Sequence, residues 1–533
     1  MGRDMRFWGW GEDAFAGEAP AAALAWLTRE LGGLGDPAPH VALQDVCVGE
    51  SALPGALRER FGEILRDDHA ARVRHARGKS YPDLVRQRAG DALDAPDAVL
   101  TPRGHDEVRA VLQACVAAGV AVVPFGGGTS VVGGLEPLRG AHAAVISLDL
   151  GALDAVELLD ERSRLVVAGA GLRVAELEAR VRERGLTLGH FPQSFEYVSV
   201  GGCAATRSAG QASTGYGRFE ELVQGVRLAA PAGDLDLAPR PASAAGPELR
   251  RMVVGSEGVL GAITQVALRL RTAPEYERYE GWMFSSFEAG AEALRDVVQS
   301  GVAPDVARLS DEAETRSNLG MAGLGSVAGA ALRGYVKARR VGGGCLAVVG
   351  WDGTEEVVRA RRAGTTERLR AGGGAQLGQQ FGRAWQRSRF HGPYLRDHVM
   401  DHGLFVETLE TATTWANLHH LYRVVASALA GHAQIVGCHV SHLYPTGASL
   451  YFMFLDRARR GEEIEQWRAA KRAACDAIVA GGGTITHHHA VGVDHVPWMA
   501  AEAGDTGLDA LRALKAQLDP ASVMNPGKLL PAG

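Results

Sequence analysis

The 533-residue chain lacks the features that mark several protein classes. Its six cysteines are scattered and include no C-x-x-C pair, so they indicate neither a disulfide framework nor a zinc motif. No apolar run approaches the 18 residues of a membrane-spanning helix, and residues 1–10 lack the apolar core of a signal peptide. Lysine and arginine (56) do not outnumber aspartate and glutamate (62), which disfavours a nucleic-acid partner. We therefore expect a cytoplasmic protein that binds no nucleic acid.

Glycine, by contrast, is abundant, and the loop Pro124 to Ser130 holds three glycines in a row. A buried-strand pattern, Gly119 to Val123, precedes this loop. Consecutive glycines allow positive φ and close approach to a ligand, and successive N–H groups can form an anion-binding concavity. A cradle for a diphosphate is therefore favoured over a flexible surface turn. The loop has neither the G-x-G-x-x-G pattern nor the P-loop lysine, so neither motif explains it.

Two further glycine-rich segments, Gly201 to Gly210 and Gly255 to Gly261, fall in the same region. Their small side chains permit close contact with a flat or extended ligand. Three such loops within one domain predict a long cofactor that is touched at several points.

The length predicts two or three domains. Residues 1–90 have a mainly helical pattern, and residues 91–275 alternate between strand and helix patterns. Residues 276–485 repeat strand–helix–strand units, which predicts a small antiparallel α+β cap domain, and residues 486–533 form a turn-rich closing segment. Gly320 to Gly344 is rich in glycine and alanine and is predicted to be partly irregular and membrane-facing.

Three adjacent histidines, His487, His488 and His489, are the most distinctive candidates for chemistry. Adjacent residues on a strand point to opposite faces, so three adjacent histidines cannot all face one metal ion. The sequence also has no H-E-x-x-H spacing, so a metal site is not predicted. A role in general acid–base catalysis is favoured. The alternative is that the three histidines lie in a polar strand or loop, where neighbouring groups satisfy their hydrogen bonds.

Arginine and tyrosine supply weaker candidates. Arg396 lies among aromatic and apolar neighbours and suits phosphate or carboxylate capture, unless it forms a surface pair with Asp397. Arg308 is similar but weaker. Tyr451 shares a strand face with Met453, where core packing is the commoner role, and Tyr444 on the preceding turn is a second candidate.

Several of these motifs resemble a known family. Pro124 to Ser130, Gly255 to Gly261 and Asn525 to Lys528 are similar to the FAD-linked oxidases of vanillyl-alcohol-oxidase type. More narrowly, nearly the whole chain resembles the alkylglycerone-phosphate synthases within that family. This narrower resemblance is carried by Gly9 to Gly11, Ser80 to Leu84, residues 193–210, Tyr394 to Asp397, Glu407 to Thr411 and the histidine triplet.

The resemblance implies an α+β fold of vanillyl-alcohol-oxidase/PCMH type. Residues 1–90 would form an N-terminal helical region, residues 91–275 would bind FAD and residues 276–485 would form the cap. Residues 486–533 would complete the flavin site. It implies a redox-neutral exchange of the acyl group of acyl-dihydroxyacetone phosphate for a long-chain alcohol in ether-lipid synthesis. It also implies a possible homodimer and a possible peripheral membrane contact. No histidine lies within residues 124–134, so we expect non-covalent FAD, and we expect no metal.

The same resemblance assigns residues one by one. Arg396 would bind the substrate phosphate, Tyr451 would be the acid/base, and His487, His488 and His489 would assist proton movement. Arg308 matches an arginine that is important in the family. The residues implied to contact FAD are Pro124, Phe125, Gly126, Gly127, Gly128, Thr129, Ser130, His190, Gln193, Ser194, Ser199, Gly202, Thr206, Arg207, Ser208, Ala209, Gly255, Ser256, Glu257, Gly258, Val259, Leu260 and Gly261.

Two departures leave other functions open. Gln193 stands where the family typically has aspartate, and Asn525 to Lys528 looks more like the broad oxidase family. The alternatives are an FAD-dependent dehydrogenase or oxidase of a 2-hydroxy acid or related alcohol, which needs an electron acceptor, and a flavin-binding protein without turnover.

Overall fold

The computed structural model describes residues 5–12, 19–322, 334, 338, 339 and 341–531. Most of the Gly320 to Gly344 stretch that we singled out above lies outside these described residues. Two sheets make up most of the region predicted to bind FAD, and a third, larger sheet makes up the predicted cap. The α+β class predicted from the sequence is confirmed.

The first sheet places the glycine loop at its carboxyl edge. Its order is Leu65–Arg66, Ala98–Leu100, Ala144–Asp149 and Val120–Phe125. The last three strands are parallel and almost wholly buried, as is typical of strands covered on both faces. Helix His105–Ala118 makes the crossover between two of them and ends at Gly119, whose φ of 61° is a left-handed cap.

The C-terminal segment returns to the free edge of this sheet. The Val122 N–H donates to Val523 O at 2.8 Å, and the Asn525 N–H donates to Val122 O at 2.8 Å. Asp519 is fully buried and accepts the N–H groups of Val523 and Met524 at 3.1 and 2.7 Å. Residues 519–525 are therefore held beside the strand that leads into the glycine loop.

The second sheet is antiparallel and carries the other two glycine segments. Its order is Gly233–Leu237, Val223–Ala230, Ala262–Arg269, Leu165–Gly169 and Val156–Asp160. Helices Val174–Arg182 and Val200–Thr206 pack on it through a continuous apolar cluster.

The cap is a seven-stranded antiparallel sheet with two unlike faces. Its order is Ala375–Gly378, Tyr276–Phe284, Cys345–Gly353, Val306–Ser310, Ile435–Tyr444, Gly447–Arg457 and Leu404–Thr414. One face is covered by helices Phe287–Gln299, Glu355–Ala371, Leu418–Ala430 and Glu463–Ala480. Because side chains alternate along a strand, Phe452 and Phe454 enter that core while Tyr451 and Met453 point to the opposite face.

Shorter elements connect these layers. Among the described residues, the other helices given bounds are Ala21–Leu31, Gly55–Phe61, His69–Arg74, Tyr81–Arg88, Ser213–Tyr216, Phe219–Leu222, Arg250–Val253, Glu312–Met321, Gln379–Ser388, Gly392–Asp401 and Met499–Leu518, with 3₁₀ turns Leu43–Asp45 and Val496–Trp498. Two small ladders pair Cys47–Val48 with Asp91–Ala92 and Leu186–Thr187 with Arg271–Thr272. Among the described residues, no helix is both long and apolar enough to cross a bilayer.

Candidate functional site

A cavity of about 2050 Å³ lies between the glycine loops and the uncovered face of the cap sheet. The loops form one wall, and Arg308, His439 and Tyr451 form part of the other. Helix Gly392–Asp401 adds Arg396, and the loop after helix Glu463–Ala480 adds His488 and His489. One cavity therefore joins most of the residues that the sequence singled out.

The loop Pro124 to Ser130 fits a diphosphate. All seven of its residues line the cavity. Within the part of the chain that the structure describes, the backbone N–H groups of residues 126–130 have no hydrogen-bond partner. A Cβ on Gly127 would lie 2.2 Å from the Tyr197 carbonyl oxygen, so the loop packs closely against the backbone at Tyr197 and Val198, just before the glycine segment Gly201 to Gly210. Free N–H groups held in a tight turn are suited to an anionic ligand.

The other predicted FAD contacts divide into two groups. Ten line the cavity, namely Gln193, Ser194, Ser199, Gly202, Thr206, Ser208, Ala209, Glu257, Gly258 and Gly261. Six do not line the cavity, namely His190, Arg207, Gly255, Ser256, Val259 and Leu260. Glu257 also ties the third glycine segment to the C-terminal part of the chain, because its carboxyl group accepts the N–H groups of Val491 and Gly492 at 2.8 and 2.7 Å.

Glu410, on cap strand Leu404–Thr414, organises the histidine triplet. Its side chain is fully buried, and it accepts the backbone N–H groups of His488 and His489 at 3.0 and 2.7 Å and that of His487 at 2.5 Å. The Thr486 hydroxyl donates a fourth hydrogen bond at 2.7 Å. Burial by itself would raise the pKa of Glu410, but the neighbouring imidazoles and the Thr486 hydroxyl hold that pKa well below its usual range. A carboxylate therefore fixes the whole triplet through its backbone.

The three imidazoles do not share one environment. The rings of His488 and His489 line the cavity, whereas the ring of His487 does not. His487 Nδ1 lies 2.9 Å from His488 Nδ1, and its Nε2 lies 2.6 Å from the Tyr444 hydroxyl. Burial lowers the pKa of His488 to about 3, against the opposing effect of Glu410, so its ring is neutral at neutral pH and free to accept a proton transiently.

Tyr451 faces the same space from the neighbouring strand. It is paired in register with Glu410 on one side and His439 on the other, which puts the three side chains in a row across the sheet. Its ring centroid lies 5.5 Å from that of His489 and 4.8 Å from that of His439. Burial raises the pKa of Tyr451 to about 12, so its phenol carries its proton at neutral pH.

Arg308 is held by an acidic partner at the cavity wall. Its guanidinium donates to Glu314 Oε1 at 2.6 Å, and His439 Nδ1 lies 2.9 Å from the same oxygen. Burial opposes ionisation, but His439 and Arg308 lower the pKa of Glu314 to about 2. Because Glu314 satisfies part of its charge, Arg308 is positioned rather than free to move.

Arg396 is presented to the cavity by an unexpected contact with the N-terminal segment. It donates to the Lys79 carbonyl at 2.7 Å and also pairs with Asp397 Oδ1 at 3.5 Å, the alternative that the sequence left open, while its Nε has no hydrogen-bond partner among the described residues. The adjacent Asp397 accepts the Trp10 N–H, and the Lys79 ammonium donates to the carbonyls of Arg6 and Phe7 at 2.7 and 3.1 Å. Gln193 lies on the same stretch of wall, close to Gly392.

One histidine cluster among the described residues has the spacing of metal ligands. Ligand nitrogens of His442, His487 and His488 lie within 4.8 Å of one another. His442 is already engaged, since its Nε2 lies 3.0 Å from the Gly210 carbonyl oxygen and its Nδ1 lies 2.8 Å from the Ser441 hydroxyl. The expectation of a metal-free site stays a prediction.

Four polar residues of the site have no role predicted from the sequence, namely Glu410, Glu314, His439 and His442. A glutamate close to Phe405, Val406 and Leu409 in strand Leu404–Thr414 is a signal that was available for Glu410, because a buried carboxylate needs donors. The donors lie 76 to 79 residues further along the chain, and no local pattern connects the two segments.

Replacing Glu410 by glutamine should destabilise the protein. The amide would turn an N–H donor toward backbone N–H donors, which costs about 1–3 kcal/mol of unfolding free energy at pH 7. The pKa of Glu410 is lower in the folded protein than in the unfolded chain, where it is about 4.3. The carboxylate therefore stabilises the folded protein fully above that pH, and this contribution to the free energy of unfolding is lost as the pH falls further.

The difference between wild type and Glu410→Gln should therefore be constant above about pH 5 and shrink below it in urea titrations. Glu465→Gln is the matched control, since the Glu465 side chain is 69% exposed. Equal unfolding midpoints for Glu410→Gln and wild type at pH 7 would contradict the role of this carboxylate.

Sequence profiles and relatives agree with this site. A profile described as an FAD binding domain matches residues 96–236, and one described as FAD linked oxidases, C-terminal domain, matches residues 273–529. FAD is the cofactor that these profiles indicate, and the free N–H groups of the glycine loop fit its diphosphate. A 4-ethylphenol oxidase from Gulosibacter chungangensis shares the fold at 14% identity, with a TM-score of 0.67 over 91% of this chain and 99% of that chain.

Alkyldihydroxyacetonephosphate synthase of Trypanosoma brucei brucei is 34% identical over 482 residues, covering 88% of this chain and 78% of the relative. The same-named protein of Dictyostelium discoideum is 32% identical over 480 residues with the same coverage. A solved alkyldihydroxyacetonephosphate synthase superposes with a TM-score of 0.83 at 27% identity, covering 98% of this chain and 99% of that one. The chain therefore belongs to the alkyldihydroxyacetonephosphate synthase family.

Proposed function

We propose that this protein exchanges the acyl group of acyl-dihydroxyacetone phosphate for a long-chain alcohol, giving alkyl-dihydroxyacetone phosphate. The observation that carries this proposal is that one cavity joins the FAD loops, the partly unpaired Arg396 and the imidazole pair His488–His489. Relatives named for this synthase activity, matched over 88% of the chain, support the substrate class.

The exchange is balanced without an outside oxidant. The bond between the substrate carbon and its acyl oxygen breaks, a bond between that carbon and the alcohol oxygen forms, and the fatty acid leaves. FAD supplies a ring that can accept and return an electron pair within one turnover, so no separate electron acceptor is consumed. The protein supplies orientation and proton transfer.

Each polar group on the cavity wall has a suitable part in this exchange. Arg396 captures the phosphate, because a guanidinium can donate two parallel hydrogen bonds to it. Tyr451 holds a proton at its hydroxyl, and the neutral rings of His488 and His489 accept a proton in the same space. Arg308, fixed by Glu314, adds positive charge near the reacting end of the substrate.

Apolar side chains line much of the remaining wall and suit the two long chains. Trp26 and Leu27 come from the helix near the N-terminus, and Phe381 and Trp385 come from helix Gln379–Ser388. Burying an alkyl chain against such a wall stabilises it by about 0.8 kcal/mol per CH₂ group. A peripheral membrane contact and a homodimer stay predictions, as does non-covalent attachment of FAD.

A product assay without an electron acceptor tests the proposal. Flavin-loaded protein is incubated anaerobically with acyl-dihydroxyacetone phosphate and hexadecanol, and the products are measured by mass spectrometry. We expect hexadecyl-dihydroxyacetone phosphate and free fatty acid in equal amounts. Bleaching of the flavin by a 2-hydroxy acid, with no ether formed, would instead establish the dehydrogenase alternative.

Replacing Arg396 by alanine should weaken binding of the phosphorylated substrate. Loss of a charge-assisted hydrogen-bonded pair costs about 1.5–3 kcal/mol, so KM should rise about 10- to 100-fold while flavin absorbance is retained. Arg387→Ala removes an exposed arginine of the neighbouring helix and should leave KM unchanged. An unaltered KM in Arg396→Ala would mean that the phosphate binds elsewhere.

A further inference from the structure

A chain of three polar side chains leads from the cavity toward the protein surface. His488 lines the cavity, His487 lies behind it, and half-buried Tyr444 lies beyond His487. The two contacts in this chain are 2.9 Å between the Nδ1 atoms of the histidines and 2.6 Å between His487 Nε2 and the Tyr444 hydroxyl. Both are hydrogen-bond distances, so the chain is continuous.

The outer end of the chain is held in place by the fold. Tyr444 ends strand Ile435–Tyr444, and its carbonyl accepts the Trp415 indole N–H at 3.0 Å. The carboxyl groups of Glu220 and Glu221 act electrostatically on Tyr444, and Glu221 is exposed. The exposed Glu221 carboxylate thus acts on the outer end of the chain, whereas the Glu220 carboxylate is buried against Arg207 and Arg218.

The exchange proposed above creates a need for such a chain, and the present inference rests on that proposed function. The alcohol loses its O–H proton when the ether forms. The fatty acid leaves as a carboxylate at neutral pH, because a carboxyl group has a pKa near about 4.3. Each turnover therefore releases one net proton inside a cavity with a largely apolar wall.

We propose that His488, His487 and Tyr444 form a relay that carries this proton from the cavity to the surface. His488 takes the proton and donates one through Nδ1 to His487 Nδ1. His487 then donates its Nε2 proton to the Tyr444 oxygen, and the Tyr444 hydroxyl proton passes to surface water. No electrons move, one proton enters and one leaves, and both His488 and His487 return to their first tautomers before the next turnover.

Arg218 keeps the middle of the relay from trapping the proton. Its guanidinium donates to the His487 carbonyl at 2.6 Å, and its Nε lies 3.1 Å from Glu220 Oε1. Burial, together with His442, His488 and this cation, holds the pKa of His487 well below its usual value. A histidine that does not retain the proton is suited to pass it on. This explains why His487 belongs to the triplet although its ring does not reach the cavity.

The test uses Tyr444→Phe in the flavin-loaded full-length protein. The variant keeps a ring in place to pack on His487, whose centroid lies 5.7 Å away, and removes only the hydroxyl. We expect kcat to fall about 10-fold, less than the 10²–10⁴ of a direct acid–base group, while KM changes less than about twofold. The kcat ratio in H₂O and D₂O should rise, and added imidazole should restore kcat.

Tyr422→Phe is the matched control, because it also removes a hydrogen-bonded hydroxyl, here on the helix-covered side of the cap. It should leave kcat and the solvent isotope effect unchanged. If wild type makes ether but Tyr444→Phe keeps the wild-type kcat, or falls without imidazole rescue or a larger isotope effect, the relay is wrong. Activity lost to EDTA and restored by Zn²⁺ would also overturn it, because a metal would occupy the relay nitrogens.

Wild-type protein that makes no ether at all would overturn the proposed function, and with it the source of the relayed proton. The two failures are therefore distinguishable in one experiment.

Discussion

The contact between Glu410 and the backbone of the histidine triplet is the constraint on which the site depends. One buried carboxylate accepts three successive backbone N–H groups and the Thr486 hydroxyl. A loop in that arrangement has its peptide groups fixed toward the sheet, so its imidazoles must project elsewhere. The outcome is a pair of rings in the cavity and a third behind it, which neither a helix nor a strand would give from three adjacent residues.

Because side chains alternate along the cap strands, the two faces of the cap sheet have different roles. Along Gly447–Arg457, Phe452 and Phe454 stabilise the helix-covered core, while Tyr451 and Met453 face the cavity. The in-register neighbours Glu410 and His439 put polar groups on that second face, where an apolar core would exclude them. Burial keeps the imidazoles of His439 and His488 neutral and the Tyr451 phenol protonated. The site therefore holds proton donors and acceptors side by side near neutral pH.

The sequence predicts those parts of this arrangement that are local. The strand that begins after Gly119 and the glycine loop that follows it are both visible, because periodicity and glycine placement are short-range signals. The shared face of Tyr451 and Met453 follows from strand alternation alone and is confirmed.

The long-range contacts could not be read in this way. The sequence around His487 gives no indication that its backbone contacts Glu410. The sequence around Arg396 likewise does not indicate that the neighbouring Asp397 accepts the backbone N–H of Trp10, which lies 387 residues earlier. The sequence also treats the three histidines alike, although only His488 and His489 line the cavity. Separating them requires knowing which buried acceptor the loop folds against.

The central claim is that substitution occurs at the substrate carbon while the alcohol oxygen is retained. The most direct measurement uses ¹⁸O-labelled hexadecanol with the flavin-loaded protein and locates the label by mass spectrometry. The account predicts that every ether molecule carries ¹⁸O and that the released fatty acid carries none. An ether without the label would mean that the alcohol carbon–oxygen bond breaks, and would contradict the proposed exchange.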